Sequence, residues 1–390
     1  MKIGFEAKRA FTNGTGLGHY SRTLITSLAN YFSEHQYFLF TPKQTNLFHT
    51  SALQNVTTIL PKNFPSSFFT SWWRSSWVKK DAEQLDIDIY HGLSHEIPYG
   101  IDKTHIKTVV TIHDLIFERY PQQFNPIDVF IYRKKFKYAC KHANHIIAIS
   151  EQTKQDIVQF YKIAPKKITV CYQSCASSFS IKVSDAEKKR VQQMYQLPQQ
   201  FYLYVGSIIE RKNLLTICKA INEIKRQHNN ANQPTIPLVV IGNGRNYKKK
   251  VQQYIAAHQL TTDVIFLSDS PAAKNATFQS AQDFPAIYQQ AIGLIYPSIF
   301  EGFGIPVLEA MCSGIPVITS NVSCMPETGG DAAYYISPFD VKALSNAMQS
   351  IAYNNLLREE MVQKGNIYQQ KFSQQNCAAE VMKVYEQLMK

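Results

Sequence analysis

Long apolar runs, an export signal and paired cysteines are what this sequence lacks. No apolar stretch approaches the ~20 residues that a bilayer-spanning helix needs, and the first residues turn polar too early for a secretory leader. The seven cysteines are irregularly spaced, and Cys171 and Cys175, the one close pair, lack a second pair and flanking histidines. This pattern argues against a disulfide framework and a zinc site, and it predicts a cytoplasmic protein with reduced thiols.

Charge is unevenly distributed along the chain. The formal net charge is +12, and residues 1–180 carry 21 Lys and Arg against 13 Asp and Glu, which places +8 there. Segments 72–80 and 133–141 combine cations with aromatic side chains. Such helices occur at lipid interfaces and also as half-buried helices with solvated lysines, so contact with an anionic membrane stays an open prediction. No recognisable nucleic-acid-binding module accompanies them, and no nucleic-acid partner is expected.

Length and hydrophobic patterning predict two domains of the α/β class. A chain of 390 residues that is 45% hydrophobic exceeds what one core usually serves. Short apolar, β-branched runs alternate with helical stretches, as in doubly wound parallel sheets, and the two series of runs meet at 177–200, where Ser184 begins a capping-box pattern. The predicted strands are 2–5, 37–40, 56–60, 87–90, 108–112, 145–149 and 168–172 in the first series, and 201–205, 237–241, 264–267, 293–296, 316–319 and 333–336 in the second.

The segment 301–309, Glu-Gly-Phe-Gly-Ile-Pro-Val-Leu-Glu, carries the strongest functional signal. Its proline favours the first position of a helix, so Glu301 lies in a glycine-rich turn and Glu309 about one turn into the helix. The amides between them point out of the helix N-terminus, where the macrodipole favours an anion such as a diphosphate. The two carboxylates suit sugar and ribose hydroxyls, so the segment predicts a receptor for a nucleotide sugar.

This segment resembles the Glu-x7-Glu element of family-4 retaining glycosyltransferases, which have the two-domain GT-B architecture. The resemblance implies two Rossmann-like domains facing an interdomain cleft: an acceptor-side domain 1–180, a nucleotide-sugar-binding domain 181–371, and a last helix, 372–390, that crosses back to the first domain. It also implies that Glu301 is a catalytic residue near the donor sugar and that Glu309 binds the nucleotide ribose. The loop residues that would contact the donor are Gly302, Phe303, Gly304 and Ile305.

Two segments of the first half are similar to the same family. Segment 14–18, Gly-Thr-Gly-Leu-Gly, departs from a dinucleotide-binding fingerprint because its sixth position is His19. The matching family loop faces the donor diphosphate, which makes Gly16 a donor-binding candidate, although a tight turn would also explain a glycine there. His113 ends a predicted strand, where ligands bind in open α/β sheets, and the family histidine at this place reaches the donor sugar. His113 is therefore the second catalytic candidate.

Arg211 and Lys212 follow the predicted strand 201–205 and are the candidate cations for the diphosphate. Arginine offers a bidentate fork and lysine a point charge. The family often has an arginine straight after the strand's glycine, and Ser207 stands there in this chain. The resemblance therefore assigns Lys212 directly and Arg211 as a replacement.

The resemblance implies a retaining hexosyl transfer to a saccharide acceptor in surface polysaccharide or glycolipid assembly. The sequence as a whole is similar to those of bacterial mannosyltransferases. This similarity implies GDP-mannose as the donor, no cofactor and no metal. The acceptor is expected to be lipid-linked, at the inner face of the cytoplasmic membrane.

Other functions stay open at this point. A UDP-sugar could replace GDP-mannose, and a phosphorylase or epimerase could share the fold, although no pyridoxal lysine can be identified. A non-catalytic, basic nucleotide- or membrane-binding protein would explain the charge but not the segment 301–309. A glycosidase carboxylate pair is disfavoured because Glu309 on the helix suits a ribose better than a water.

Overall fold

The computed structural model describes residues 1–61, 67–231 and 235–390. The chain forms two compact units, one made of Met1–Ser174 with Phe372–Lys390 and the other of Cys175–Lys371. The chain therefore leaves the first unit once and returns to it for its C-terminal segment.

Each unit is built on one sheet of parallel strands. The strands of the first unit are β1 (Lys2–Glu6), β2 (Gln36–Phe40), β3 (Val56–Ile59), β4 (Ile89–Gly92), β5 (Lys107–Ile112), β6 (His145–Ala148) and β7 (Ile168–Val170). Those of the second are β8 (Tyr202–Val205), β9 (Leu238–Ile241), β10 (Val264–Phe266), β11 (Gly293–Tyr296), β12 (Val317–Ser320) and β13 (Ala333–Ile336). The sheet orders are β3-β2-β1-β4-β5-β6-β7 and β10-β9-β8-β11-β12-β13, so both are doubly wound.

Helices cover the sheets. The first unit contains α1 (Lys8–Thr12), α2 (Gly16–Tyr31), α3 (Thr70–Trp72), α4 (Val78–Gln84), α5 (Ile116–Arg119), α6 (Pro126–His142) and α7 (Glu151–Tyr161). The second contains α8 (Asp185–Tyr195), α9 (Leu214–Ala231), α10 (Asn246–Ala257), α11 (Ala276–Gln279), α12 (Phe284–Tyr288), α13 (Ile305–Cys312), α14 (Met325–Gly329), α15 (Val341–Tyr353) and α16 (Asn355–Tyr368). The final helix, α17 (Gln374–Met389), belongs to the first unit. Within the described ranges, no helix has both the length and the apolar character that a membrane crossing requires.

The predicted α/β class is confirmed, and all thirteen predicted strands are present within two residues of their predicted bounds. The largest shift is in β4, which ends at Gly92 because that residue pairs with Glu6 of β1. The predicted helix start at Ser184 is also confirmed, since its hydroxyl accepts the amide of Glu187 at 3.3 Å. At the start of α7, the hydroxyl of Ser150 accepts the amide of Thr153 at 3.0 Å in the same way. Local capping signals therefore set helix starts, whereas strand ends depend on pairing partners.

The C-terminal helix α17 completes the core of the first unit. It packs against α2, and its buried side chains join the cluster that contains Ile3 and Phe5 of β1. The hydroxyl of Tyr385 lies 2.6 Å from Nδ1 of buried His91. A segment distant in sequence thus supplies both apolar contacts and a polar partner to the first sheet.

Candidate active site

The turn between β11 and α13 contains Glu301, and α13 itself carries Glu309. Helix α13 begins at Ile305, one residue before the predicted start, with Pro306 in its first turn. The residue before it, Gly304, has a φ of 97°, and a Cβ there would lie 2.6 Å from Cε of Met325. Both the left-handed conformation and the close packing therefore require glycine at this position.

The Glu301 carboxylate lies in a ring of donors. Its Oε1 accepts the hydroxyls of Tyr296 at 2.9 Å and Ser298 at 3.0 Å, and it lies 3.6 Å from Nζ of Lys212. Its Oε2 lies 2.9 Å from Nη1 of Arg211. The structure thus brings Arg211, Lys212 and Glu301 together, in the second unit, at the carboxyl ends of β8 and β11.

This cluster is charged, with Arg211 and Glu301 buried and Lys212 half-buried. Burial alone would raise the pKa of Glu301, but the charges of Lys212 and Arg211, with hydrogen bonds from Arg211 and Tyr296, lower it to about 2. Glu301 is therefore ionised at neutral pH, and together the three side chains carry a net charge of +1. A buried site with one excess positive charge favours an anionic ligand.

The sequence holds the two cations in place through the turn after β8. Gly206 has a φ of 148°, and a Cβ there would lie 3.0 Å from Nζ of Lys212. Asn213 has a φ of 61°, and its Nδ2 donates to the carbonyls of Pro297 at 3.1 Å and Pro338 at 2.6 Å. The guanidinium of Arg211 also donates to the carbonyl of Phe300. These hydrogen bonds tie the turn after β8 to the segment that leads into Glu301.

Glu309 lies in a different environment from Glu301. It is half-buried on α13, and Oε2 accepts the hydroxyl of Tyr288 at 2.8 Å. Burial raises the pKa of Glu309 to about 7, although the Tyr288 hydrogen bond and Lys212 act in the opposite direction. Of the two carboxylates, Glu309 therefore changes its protonation near neutral pH and Glu301 does not.

His113 lies at the carboxyl end of β5 in the first unit, as predicted. Its Nε2 lies 2.9 Å from the carbonyl of Leu93, so Nε2 carries the proton and Nδ1 is an acceptor. Burial lowers the pKa of His113 to about 4, and its ring meets that of Tyr20 edge-on at 4.6 Å. His113 is therefore a neutral, fixed imidazole at pH 7.

Two further buried histidines surround His113, and the sequence reasoning did not identify them. His95, with a φ of 68°, stacks on Phe136 at 4.3 Å and accepts the amide of His113 at 3.4 Å. His91 Nε2 lies 2.8 Å from the hydroxyl of Thr111, and burial lowers the pKa of His91 to about 3. His95 contacts the ring of His113, with centroids 5.1 Å apart, and His91 lies close enough for His113 to lower its pKa further.

The glycine-rich segment 14–18 forms the start of α2. Gly16 is its first residue and is exposed, with open space where a Cβ would be. A Cβ on Gly18 would lie 1.8 Å from the carbonyl of Asn13, so close packing explains that glycine. Asn13 Oδ1 accepts the amides of Thr15 at 2.8 Å and Gly18 at 3.3 Å. Of the two glycines, Gly16 is the one that a ligand can approach.

The site residues that sequence reasoning missed are hydroxyl partners of the carboxylates. They are Tyr288, Tyr296 and Ser298. Tyr296 ends β11 at the edge where ligands bind, which is a usable signal, whereas Tyr288 approaches Glu309 only through folding. In the part of the chain that the structure describes, no group of three or more His, Cys, Asp or Glu side chains is arranged to hold a metal ion.

Comparisons with known proteins match both units of the chain to glycosyltransferase families. Residues 14–174 match the family model described as Glycosyltransferase Family 4, and residues 185–367 match that described as Glycosyl transferases group 1. The chain is 28% identical over 317 residues to O-antigen chain mannosyltransferase B of Escherichia coli, which covers 81% of this chain and 77% of that protein. It is 28% identical over 257 residues to the O-antigen chain mannosyltransferase RfbU of Salmonella typhimurium, covering 66% and 63% of the two chains.

A solved structure shows the same fold. Anabaena Alr3699/HepE in complex with UDP-glucose superimposes with a TM-score of 0.73 at 16% identity, covering 99% of this chain and 100% of that one. The two family models together match most of the sequence, one in each unit. The chain therefore belongs to the Family 4 and group 1 glycosyltransferases, with the two parallel sheets of the GT-B fold.

Proposed function

We propose that this glycosyltransferase moves mannose from GDP-mannose to a saccharide acceptor in surface polysaccharide or glycolipid assembly. The observation that carries the proposal is the largely buried cluster of Arg211, Lys212 and Glu301, with its excess positive charge. The choice of mannose is supported by relatives whose names describe O-antigen chain mannosyltransferases. These names indicate the sugar of the donor but not its nucleobase. A UDP-sugar is therefore the alternative donor, because a protein of the same fold binds UDP-glucose.

The cations are proposed to act on the leaving group. Breaking the bond between sugar and phosphate creates negative charge on the departing nucleoside diphosphate. Arg211 and Lys212 would stabilise that charge, together with backbone amides of the segment Gly302, Phe303, Gly304 and Ile305 at the start of α13. Because these groups are held in place before reaction, little reorganisation is needed as the charge develops.

Glu301 is proposed to have two roles. It fixes Arg211 and Lys212, and it accepts a hydroxyl of the donor sugar. Oε1 already accepts two hydroxyls, whereas Oε2 faces Arg211 and, as a carboxylate oxygen, has capacity for a further donor. With its pKa lowered to about 2, Glu301 stays an acceptor across the physiological range and is unsuited to donate a proton.

The remaining predicted contacts are retained as proposals. Glu309 would accept ribose hydroxyls, in competition with or beside the Tyr288 hydroxyl. In the first unit, His113 would accept a sugar hydroxyl through Nδ1, since Nε2 is committed to Leu93. Gly16 would let a phosphate approach the exposed start of α2. His113 and Glu301 are the proposed catalytic residues.

The reaction is proposed to retain the anomeric configuration without a metal ion or cofactor. The departing diphosphate would itself take the proton of the incoming hydroxyl, and no protein group is assigned as the base. Arg211 and Lys212 supply positive charge of the kind that a divalent cation supplies in other transferases. The acceptor is proposed to be a lipid-linked saccharide, supported by the +8 charge of residues 1–180.

The first experiment is thermal unfolding of the purified protein with GDP, UDP, ADP and GDP-mannose, each with and without EDTA. A ligand present at 100 times its dissociation constant adds about 2.7 kcal/mol to the free energy of unfolding. Selective stabilisation by GDP and GDP-mannose, unchanged by EDTA, is expected. Stabilisation by UDP alone would replace the donor, and dependence on added divalent ions would contradict metal independence.

Transfer is then measured with the stabilising donor and a saccharide acceptor, and the anomeric proton of the product is assigned by NMR. A product with the donor's configuration is expected. Inversion would contradict the retaining mechanism, and binding without any transfer would favour a nucleotide-binding protein.

A further inference from the structure

Helix α6 in the first unit is apolar on two opposite sides, and only one of them faces the core. The core side consists of Val129, Phe136, Ala139 and Cys140, all buried. On the other side, Ile127, Phe130 and Ile131 expose 69, 56 and 41% of their surface. At 100° per residue these three fall on one face, about half a turn from the core side. A contiguous exposed apolar cluster of this kind marks an interaction surface.

The cations on that face differ from those elsewhere on α6. Lys134, Lys137 and Lys141 lie on the same face as the apolar cluster, and none forms an ion pair with the residues that the structure describes. Off the face, Arg133 pairs with Glu118 at 2.6 Å and Lys135 pairs with Glu96 at 3.1 Å. The exposed face therefore combines apolar side chains with unpaired positive charge, while the neighbouring charges are neutralised.

Aromatic side chains extend this surface towards α3. Tyr138 of α6 packs against exposed Tyr99 with ring centroids 4.5 Å apart. The amide of Tyr99 donates to the carbonyl of Ser75 at 2.7 Å, and the neighbouring helix α3 exposes Trp72. Tyrosine and tryptophan at the edge of an apolar surface are typical of side chains that lie at the headgroup level of a bilayer.

We propose that the α6 face, defined as Ile127, Phe130, Ile131, Lys134, Lys137 and Lys141, docks on an anionic lipid surface. A second copy of the chain fits poorly, because a two-fold contact would bring the same lysines together. The cores of protein interfaces are depleted of lysine, whereas lysine stems extend over lipid and place their ammonium groups among anionic headgroups. Lys134 already lies over the ring of Phe130, at 4.3 Å from its centroid. The proposal adds a partner to the proposed transferase and does not depend on its donor.

The test is flotation of the full-length protein with vesicles of phosphatidylcholine alone or mixed with phosphatidylglycerol. Binding to the anionic vesicles is expected, weakened by high ionic strength. Replacing all three lysines by glutamine should reduce that binding by about a hundredfold, since each lysine near an anionic surface contributes about fivefold. The triple variant Ile127→Ser, Phe130→Ser, Ile131→Ser should reduce it by at least about tenfold.

The matched control removes exposed apolar side chains from the second unit. Phe339, Leu356 and Ile367 are exposed by between 72 and 78%, and their triple serine variant should float like the wild type. Unchanged melting temperature and nucleotide binding of all three triple variants would show that they fold. The proposal is overturned if the wild type does not bind anionic vesicles, if the control loses binding as much as the α6 variant, or if light scattering shows a dimer that the α6 variant abolishes. Loss of transfer with retained vesicle binding would instead count only against the proposed function.

Discussion

A single buried carboxylate determines the charge of the candidate site. Glu301 neutralises one of two adjacent cations, and its removal would leave both Arg211 and Lys212 without a buried counter-ion. Breaking a buried ion pair from one side costs more than the pair itself contributes, because the remaining charge stays desolvated. Stability and charge at this site are therefore coupled through one residue.

Glu301→Gln should lower transfer by roughly a hundredfold, because the sugar loses a charged acceptor and the cations lose their alignment. The affinity for GDP should stay the same or rise, since the net charge of the cluster increases by one. Steady-state kinetics and calorimetric GDP titration measure the two effects separately.

Glu210→Gln is the matched control, because Glu210 lies in the same turn and its side chain is exposed. Glu210→Gln should leave the rate of transfer and the affinity for GDP unchanged. A Glu301→Gln enzyme with normal transfer would remove this residue from catalysis, and a large loss of GDP affinity would show that Glu301 itself contacts the nucleotide.

The second carboxylate makes stability depend on pH near neutrality. The pKa of Glu309 is raised to about 7 from its ordinary value of 4.5, so the folded state holds its proton more tightly than the unfolded state does. The contribution of Glu309 to the free energy of unfolding therefore falls as pH rises from 4.5 to 7. Glu301, with a lowered pKa, has the opposite effect: its contribution is present above pH 4.5 and is lost as pH falls towards 2.

Glu309→Gln should stabilise the protein at pH 8 relative to the wild type, by about 1–2 kcal/mol, and should have little effect at pH 5. Urea unfolding at the two pH values measures the difference. The exposed carboxylate of Glu360 provides the control, because Glu360→Gln should show no such pH dependence. An equal effect of Glu309→Gln at both pH values would mean that its pKa is ordinary.

At the scale of elements, helix α13 depends on the conformation of the residue before it. Gly304 adopts a φ of 97° and contacts Met325 of α14, so it sets both where α13 begins and how the two helices pack. The amides proposed to bind the donor lie at and around this residue, at the start of α13.

Gly304→Ala should destabilise the protein by about 1–3 kcal/mol and weaken nucleotide binding, because a Cβ adds backbone strain and a clash. Gly314→Ala separates the two causes: Gly314 has a φ of 70° but open space around its Cβ position. Gly314→Ala should lower the free energy of unfolding by less than Gly304→Ala does, and it should leave nucleotide binding intact. Denaturant unfolding and GDP titration of both variants provide the comparison, and equal losses would show that the contact with Met325 is unimportant.

The elements show how far local sequence reaches. The helix starts at Ser150 and Ser184 follow from side-chain capping, which involves residues only three apart. The end of β4 does not follow from local sequence, because β4 extends to Gly92, which pairs with Glu6 of β1. Local patterning identifies an element and the start of a capped helix, whereas the bounds of a strand depend on neighbours that folding supplies.

At the scale of the whole molecule, the first unit is completed by the end of the chain. Six side chains of α17 are buried there, namely Cys377, Ala378, Val381, Met382, Val384 and Tyr385. Burying a valine or methionine side chain contributes about 1.5–3 kcal/mol, so the gross apolar stabilisation from the larger side chains of α17 is comparable with the net stability of a whole domain.

A chain that ends at residue 371 should therefore have an unfolded first unit, although residues 1–174 are all present. Limited proteolysis should cleave the truncated chain within 1–174 while the intact protein resists. Tyr385→Phe should have a milder effect and lower the free energy of unfolding by about 1 kcal/mol, because the hydrogen bond to His91 is lost. Lys383→Ala, on the exposed side of α17, should leave the free energy of unfolding unchanged. A truncated chain that resists protease would show that α17 is dispensable.

The sequence by itself determined the α/β class, the parallel strands and the segments that hold the candidate site, because hydrophobic runs and glycine-rich turns are local patterns. It placed Arg211, Lys212 and His113 after predicted strands, Glu301 in a glycine-rich turn and Glu309 about one turn into the following helix. Only the tertiary structure decided that Arg211 and Lys212 share one carboxylate, that Tyr296 and Ser298 complete its shell, and that the two glutamates have opposite pKa shifts. These properties depend on distances between residues far apart in the chain and on burial, which no local pattern contains.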